Sequence, residues 1–233
     1  LIEFIGFTSS GKTTLIEKIS SDLNKEKIDF NNIELEFLNI NYSSNYSKKY
    51  SAILLNLKVL YNFFYYSELK NIKPLLKNTN LSFLKKLSYF RNYLKKTAII
   101  KFYKKNNFSK KILLYDEGLL QGYLNIFNHI NNDDNRLSLD SFDYIIYPDI
   151  LIYLKPNTES LIKRIKERND RKYWKSLSVS ELRCYINNFN INVESIIKIY
   201  NESKSNKVIK IIDSHNCSEI IYDLIISEIK KEK

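Results

Sequence analysis

Gly6-Phe7-Thr8-Ser9-Ser10-Gly11-Lys12-Thr13 places two glycines, a lysine and a hydroxyl at the spacing G-x-x-x-x-G-K-T. Those residue types at that spacing suit a polyphosphate. The glycines let the backbone curl until successive N–H groups point at phosphate oxygens. Lys12 then reaches the β- and γ-phosphates, and the Thr13 hydroxyl is a ligand for Mg²⁺. Gly6, Ser9, Ser10, Gly11, Lys12, Thr13 and Thr14 are the expected nucleotide-binding residues of this stretch. Lys12 is expected to face the ligand rather than to pack.

Two further groups could act on a bound phosphate. Asp116-Glu117-Gly118 directly follows the apolar run Ile112-Leu113-Leu114-Tyr115. A carboxylate there can hold Mg²⁺ through water or accept a proton from an acceptor hydroxyl. Asp116 is the metal candidate beside Thr13, and Glu117 or Asp116 is the candidate for orienting an acceptor. The plainer alternative is a cap on the next helix. Gln121, one turn beyond Glu117, faces either the same pocket or solvent. Arg164, Arg168 and Arg171 form the other group. On a continuing helix, spacings of four and three put them on one face. Arginine offers a planar fork to phosphate oxygens. The alternative is a solvated face with Glu167 and Asp170 as partners.

The elements that must position these groups are legible from periodicity. Leu1-Ile2-Glu3-Phe4-Ile5 reads as a buried strand, and Thr14-Leu15-Ile16-Glu17-Lys18-Ile19 has helical apolar spacing. Strand, glycine-rich turn and helix are the context that a phosphate-binding loop requires. A helix N-terminus there also adds the positive end of its dipole. Ile33 to Leu38 alternates and reads as a second strand. Residues 50–66 are a candidate helix. Leu81 to Tyr103 carries Phe83, Leu84, Leu87, Phe90, Leu94, Ala98 and Phe102 at helical spacing, with a lysine-rich opposite side. Strands are predicted at 110–115, 149–154 and 208–212, and helices at 119–130, 158–169, 180–200 and 218–229. Asn157 or Thr158 is the expected N-cap of the 158–169 helix. Alternating strands and helices imply a parallel α/β sheet covered on both faces, with ligands at the carboxyl ends of its strands.

Composition narrows the function classes. The 233 residues carry 37 Lys and Arg against 26 Asp and Glu, a net charge of +11. Lys95-Lys96, Lys104-Lys105 and Lys110-Lys111 lie among aromatic residues, a pattern that can bind single-stranded nucleic acid. The apolar positions keep a helical period, so an amphipathic helix with a wet side is preferred, and tight nucleic-acid binding is not expected. No apolar run is long enough to span a bilayer. A chain whose first residues already form a strand leaves no room for a signal peptide, and one that starts at Leu1 is expected to lack its initiator Met. Cys184 and Cys217 have no metal-ligand spacing and read as reduced thiols of a cytoplasmic protein. His129 and His215 have no companions at ligand spacing. Lys172, Tyr173 and Trp174 either cover a bound nucleotide or simply pack. The length suits one domain over residues 1–233, with 42–110 as a helical insertion, and leaves a homodimer open.

The order of these motifs resembles the thymidylate kinase and deoxynucleoside kinase branch of the P-loop kinases. The likeness rests on Gly6 to Thr13, on Leu113 to Gly118, on Pro148 to Pro156 leading into Leu161 to Arg171, and on Val208 to Ser214 followed by a helix. The resemblance implies a three-layer P-loop NTPase fold with five parallel strands, MgATP as phosphoryl donor and an arginine-bearing lid. It also implies that Ser214 lies in the loop on the adenine side. Two departures stand out. Glu117 and Gly118 occupy the place of an arginine that grips the acceptor in that family. The second strand leads into Asn39-Ile40-Asn41-Tyr42-Ser43, without the family's Arg and Gly-rich run. The expected activity is transfer of the γ-phosphoryl group of ATP to a nucleoside, a nucleotide or another hydroxyl acceptor. Lys12, Asp116, Glu117, Arg164, Arg168 and Arg171 are its expected catalytic residues. Two alternatives remain: a nucleotide-binding switch or slow NTPase within an assembly, and a kinase or ATPase acting on nucleic acid.

Overall fold

Alternation along the central strands decides how the layers form. In the computed structural model, β1 (Ile2–Gly6) sends Ile2 and Phe4 to one side of the sheet, where they pack with Leu15, Ile16, Ile19 and Leu23 of α1 (Lys12–Lys25). Ile5 faces the opposite layer, with Tyr115, Leu151 and Tyr153 from neighbouring strands. The structure describes residues 1–25, 27–28, 30–32, 76–77, 79–105, 112–127, 148–168, 172–203, 207–211, 219, 223–224 and 226–227.

Five parallel strands form one sheet. After β1 come β2 (Phe30–Asn32), β3 (Ile112–Asp116), β4 (Ile150–Leu154) and β5 (Lys207–Ile211), in the spatial order β2-β3-β1-β4-β5. β1 is central. It pairs Ile2 with Leu114 on one side and Gly6 with Leu154 on the other. From β1 the chain runs out to the β2 edge, and from β4 it runs out to β5 at the opposite edge. The connections therefore diverge at the β1–β4 boundary, which opens a crevice beyond the strand ends there. The loop after β1 lies at that crevice.

The opposite layer is built from α2 (Phe83–Lys105), α3 (Leu119–Phe127), α4 (Thr158–Glu167), α5 (Lys172–Ser176) and α6 (Val179–Ser203). α3 is apolar nearly all round, and seven of its nine residues are buried. α4 starts at Asn157, whose side chain accepts the N–H groups of Glu159 and Ser160. Arg183 of α6 reaches back to Glu159 at 2.7 Å. At the close of α5, Lys166 donates to the Lys175 carbonyl at 2.8 Å and to that of Leu177.

Several sequence expectations change. α4 ends at Glu167, so Arg168 is an extended C-cap residue (φ −74°, ψ 138°) and does not continue the helix that was to align the three arginines. The apolar stripe of α2 is also displaced. Its buried side runs through Tyr93, Leu94, Thr97 and Ile100, where it meets α3, while Phe83 and Leu84 are 78% and 76% exposed. The expected strand at 33–38 and helix at 50–66 lie outside the described residues, as do Arg171, Ser214, Cys217, His129 and His215. Among the described residues, no helix is long and apolar enough to cross a membrane.

Candidate active site

The loop between β1 and α1 is held by contacts that its sequence requires. A Cβ on Gly6 would lie 2.6 Å from Ser10 Oγ and 2.9 Å from the Leu154 carbonyl oxygen, so only glycine fits where β1 passes β4. Gly11 turns with φ 97°, and Ser9 also adopts a left-handed backbone with φ 63°. Ser10 N–H closes the turn onto the Phe7 carbonyl at 3.2 Å. The Ser9 and Ser10 hydroxyls are buried and have no hydrogen-bond partner among the described residues.

Lys12 departs from its expected exposure. It is only 6% exposed, and its ammonium donates to the carbonyls of Gly6 at 2.9 Å and Phe7 at 3.3 Å. The stem packs beneath the loop, and the loop's own carbonyls satisfy the charge. The ammonium also stands 3.6 Å from Glu117 Oε1. The loop residues Thr8 to Thr14, with Glu117, Arg164 and Arg168, line a cavity of about 660 Å³. Two of the three candidate arginines therefore face the loop.

Asp116 ends β3 beside α1. The Thr13 hydroxyl donates to Asp116 Oδ2 at 2.9 Å, and among the described residues Asp116 Oδ1 is buried with no hydrogen-bond partner. Burial pushes the Asp116 carboxyl above its ordinary value, and the nearby Glu117 adds to the rise. Lys12 and the Thr13 hydrogen bond oppose it. A hydroxyl and a carboxylate oxygen without a partner, next to a phosphate-sized loop, fit the hard oxygen ligands of Mg²⁺. That ion takes one or two carboxylates and completes its shell with water and phosphate. Among the described residues, no group of three or more His, Cys, Asp and Glu gathers to hold a metal.

A second cavity of about 600 Å³ adjoins the first, and Thr8 and Glu117 line both. Its walls are aromatic and amide-bearing: Phe7, Tyr89, Trp174 and Tyr185 beside Asn92, Gln121, Asn125 and Asn188. Trp174 sits edge-on to Phe7 at 5.0 Å and to Tyr185 at 5.6 Å. It thus packs on Phe7 near the start of the loop and lines the second cavity.

Sequence reasoning missed two residues at this site. Glu3 points into the α3 layer, is fully buried, and accepts the Gln121 N–H at 2.9 Å. Burial raises its carboxyl from 4.5 to about 7, although Lys96 and the N–H groups at the start of α3 resist the rise. A charged residue inside the apolar run Ile2-Glu3-Phe4-Ile5 was the available signal. Lys96 is the other. It lies within a lysine-rich helix, where nothing in the spacing marks it out, yet its ammonium donates to the carbonyls of Glu117 and Gly118. Gln121 faces inward, 3% exposed, and its Oε1 accepts the Gly6 N–H at 2.9 Å.

No protein-family model matches the chain. No curated protein matches it either. Among solved structures the chain is similar to deoxyadenosine kinase from M. mycoides with bound dATP, at 18% identity and a TM-score of 0.49 over 98% of each chain. It is also similar to that kinase with the products dCMP and a flexible dCDP bound, at 16% identity and a TM-score of 0.45, over 100% of this chain and 99% of the other. Likenesses of this size leave the chemistry of the site to its own residues.

Proposed function

We propose that this chain is an ATP-dependent kinase of the P-loop NTPase fold that phosphorylates a hydroxyl of a nucleoside-type acceptor. The observation that carries the reading is the pair of adjoining cavities with Glu117 and Thr8 at their junction. One cavity is lined by loop amides and cations, as a polyphosphate requires. The other has aromatic walls and amide side chains, which suit a flat ring with donors and acceptors on its edge. Among the described residues of that second lining, only Lys85 carries a positive charge, so a neutral nucleoside fits it better than an acceptor that is already phosphorylated.

The residues divide the work. Backbone N–H groups of Ser9 to Thr14 and the Lys12 ammonium bind the β- and γ-phosphates. Thr13 and Asp116 would hold Mg²⁺, which neutralises phosphate charge when bound. Glu117 orients the acceptor hydroxyl and takes its proton as the oxygen bonds to phosphorus and the bond from the γ-phosphorus to the ADP oxygen breaks. Arg164 and Arg168, which line the loop's cavity, stabilise charge on the phosphoryl group in flight, with Arg171 as a third candidate. Ser214 remains the proposed adenine-side contact. Residues 42–110, which include α2, supply the acceptor wall through Tyr89 and Asn92.

The test is phosphate transfer from radiolabelled ATP to a panel of the four deoxynucleosides and their monophosphates. Lys12→Met keeps the buried stem and removes the charge. It should lower turnover by about 10²-fold or more, as loss of a preorganised donor does. Turnover that survives in folded Lys12→Met would refute the reading. ATP binding with no acceptor turnover would favour a switch or assembly subunit instead.

A further inference from the structure

The turn that carries Glu117 has a strained backbone and is gripped from two sides. Glu117 adopts φ 54°, a left-handed conformation that is unfavourable for a non-glycine residue. Such a conformation persists only where the surroundings fix it. From the α2 side, the Lys96 stem crosses α3 at Gly122, where an added Cβ would lie 3.4 Å from Lys96 Cδ. Its ammonium ends on the Glu117 and Gly118 carbonyls. From the sheet side, Glu3 lies so close under Gly118 that a Cβ there would stand 2.5 Å from Glu3 Cδ. Glu3 Oε1 receives the Gln121 N–H, and Gln121 in turn receives the Gly6 N–H. The turn, the start of α3 and the first residue of the phosphate loop are thus one hydrogen-bonded unit. Among the described residues, Glu3 Oε2 is buried with no hydrogen-bond partner, and Lys96 is a cation acting on that carboxyl.

We propose that Lys96 and Glu3 are a positioning pair, which clamps the Asp116–Gly118 turn so that the Glu117 carboxylate is held where the two cavities meet. Gly118 is then required by the clamp, since any side chain there would displace the Glu3 carboxyl. Lys96 acts through Glu117 rather than on substrate, because its ammonium is engaged by the carbonyls of the turn. The kinetic consequence rests on the phosphoryl-transfer reading; the clamp itself does not.

Two measurements test it. In the first, Lys96→Met, Lys96→Arg, Glu117→Gln and the double variant Lys96→Met/Glu117→Gln are compared, with the four deoxynucleosides in turn as acceptor and ATP binding measured by titration. Lys96→Met should lower kcat by roughly 10- to 100-fold, the scale of a misplaced catalytic group, and leave ATP affinity within about twofold. Lys96→Arg should recover part of the loss. The double variant should fall no lower than Glu117→Gln alone, because two residues acting as a unit do not add. Multiplying losses would mean that Lys96 works independently, and would overturn the proposal, as would wild-type kcat in Lys96→Met. In the second, amide hydrogen exchange is followed in peptides spanning residues 112–127. Exchange there should be about tenfold faster in Lys96→Met, whereas unchanged exchange overturns the clamp. If the wild-type chain transfers no phosphate to any acceptor, the proposed function falls and the exchange measurement alone decides the clamp.

Discussion

Replacing Glu3 with Gln should change how stability depends on pH, and the structure sets the size of the change. Glu3 is fully buried in the α3 layer, and its carboxyl is raised from 4.5 to about 7. Below pH 4.5 the carboxyl is protonated in both the folded and the unfolded chain, so it imposes no penalty. As pH rises from 4.5 towards 7, the unfolded chain loses its proton while the folded chain keeps it. The folded state then binds more protons, and stability falls with rising pH. Above 7 both forms are ionised and the loss stays at its full value. At about 1.4 kcal/mol per pH unit across that window, the loss is about 3 kcal/mol. Gln has the same shape, can still accept the Gln121 N–H through its carbonyl, and does not ionise. The stability of Glu3→Gln minus that of the wild type should therefore rise by about 3 kcal/mol between about pH 4 and pH 8.5. Urea unfolding at several pH values reads this difference directly. Asp116 is raised by burial too, with the same sign, but it is present in both proteins and largely cancels. A constant offset between the two proteins is of no consequence. A difference that stays flat across the window would refute the reasoning, since it would mean that Glu3 ionises as freely when folded as when unfolded.

Three further outcomes are expected. Asp116→Asn should cut turnover by about 10²-fold and raise the Mg²⁺ concentration needed for half-maximal rate; full activity in a magnesium titration would reduce Asp116 to a strand-end cap. Arg168→Ala should lower kcat more than it weakens ATP binding, and Arg168→Lys should restore only part, because a point charge lacks the planar fork. Equal losses in binding and kcat/KM at constant kcat, from steady-state kinetics beside ATP titration, would make Arg168 a ground-state anchor. Gly118→Ala should cost about 1–3 kcal/mol in urea unfolding, because the new Cβ overlaps the Glu3 carboxyl, and an unchanged midpoint would show that the carboxyl can step aside.

The loop between β1 and α1 was legible in the chain because its pattern is local. Eight consecutive residues carry the glycines, the lysine and the hydroxyl, and the flanking periodicities are short-range signals. The parallel α/β class and the place of Asp116 at a strand end follow from local pattern in the same way. The helical alignment of Arg164, Arg168 and Arg171 did not survive, because α4 stops at Glu167, a choice made by packing and capping rather than by spacing. Lys12 was misjudged because exposure depends on what folds over a side chain. The inward turn of Lys96 and the burial of Glu3 were decided by tertiary structure alone. Lys96 lies 93 residues from Glu3 in sequence, and the two act on one turn only because β1, α2 and α3 meet there. Spacing along a chain records which residues share an element. It does not record which charges from different elements come together, since that is set by how the layers stack on the sheet.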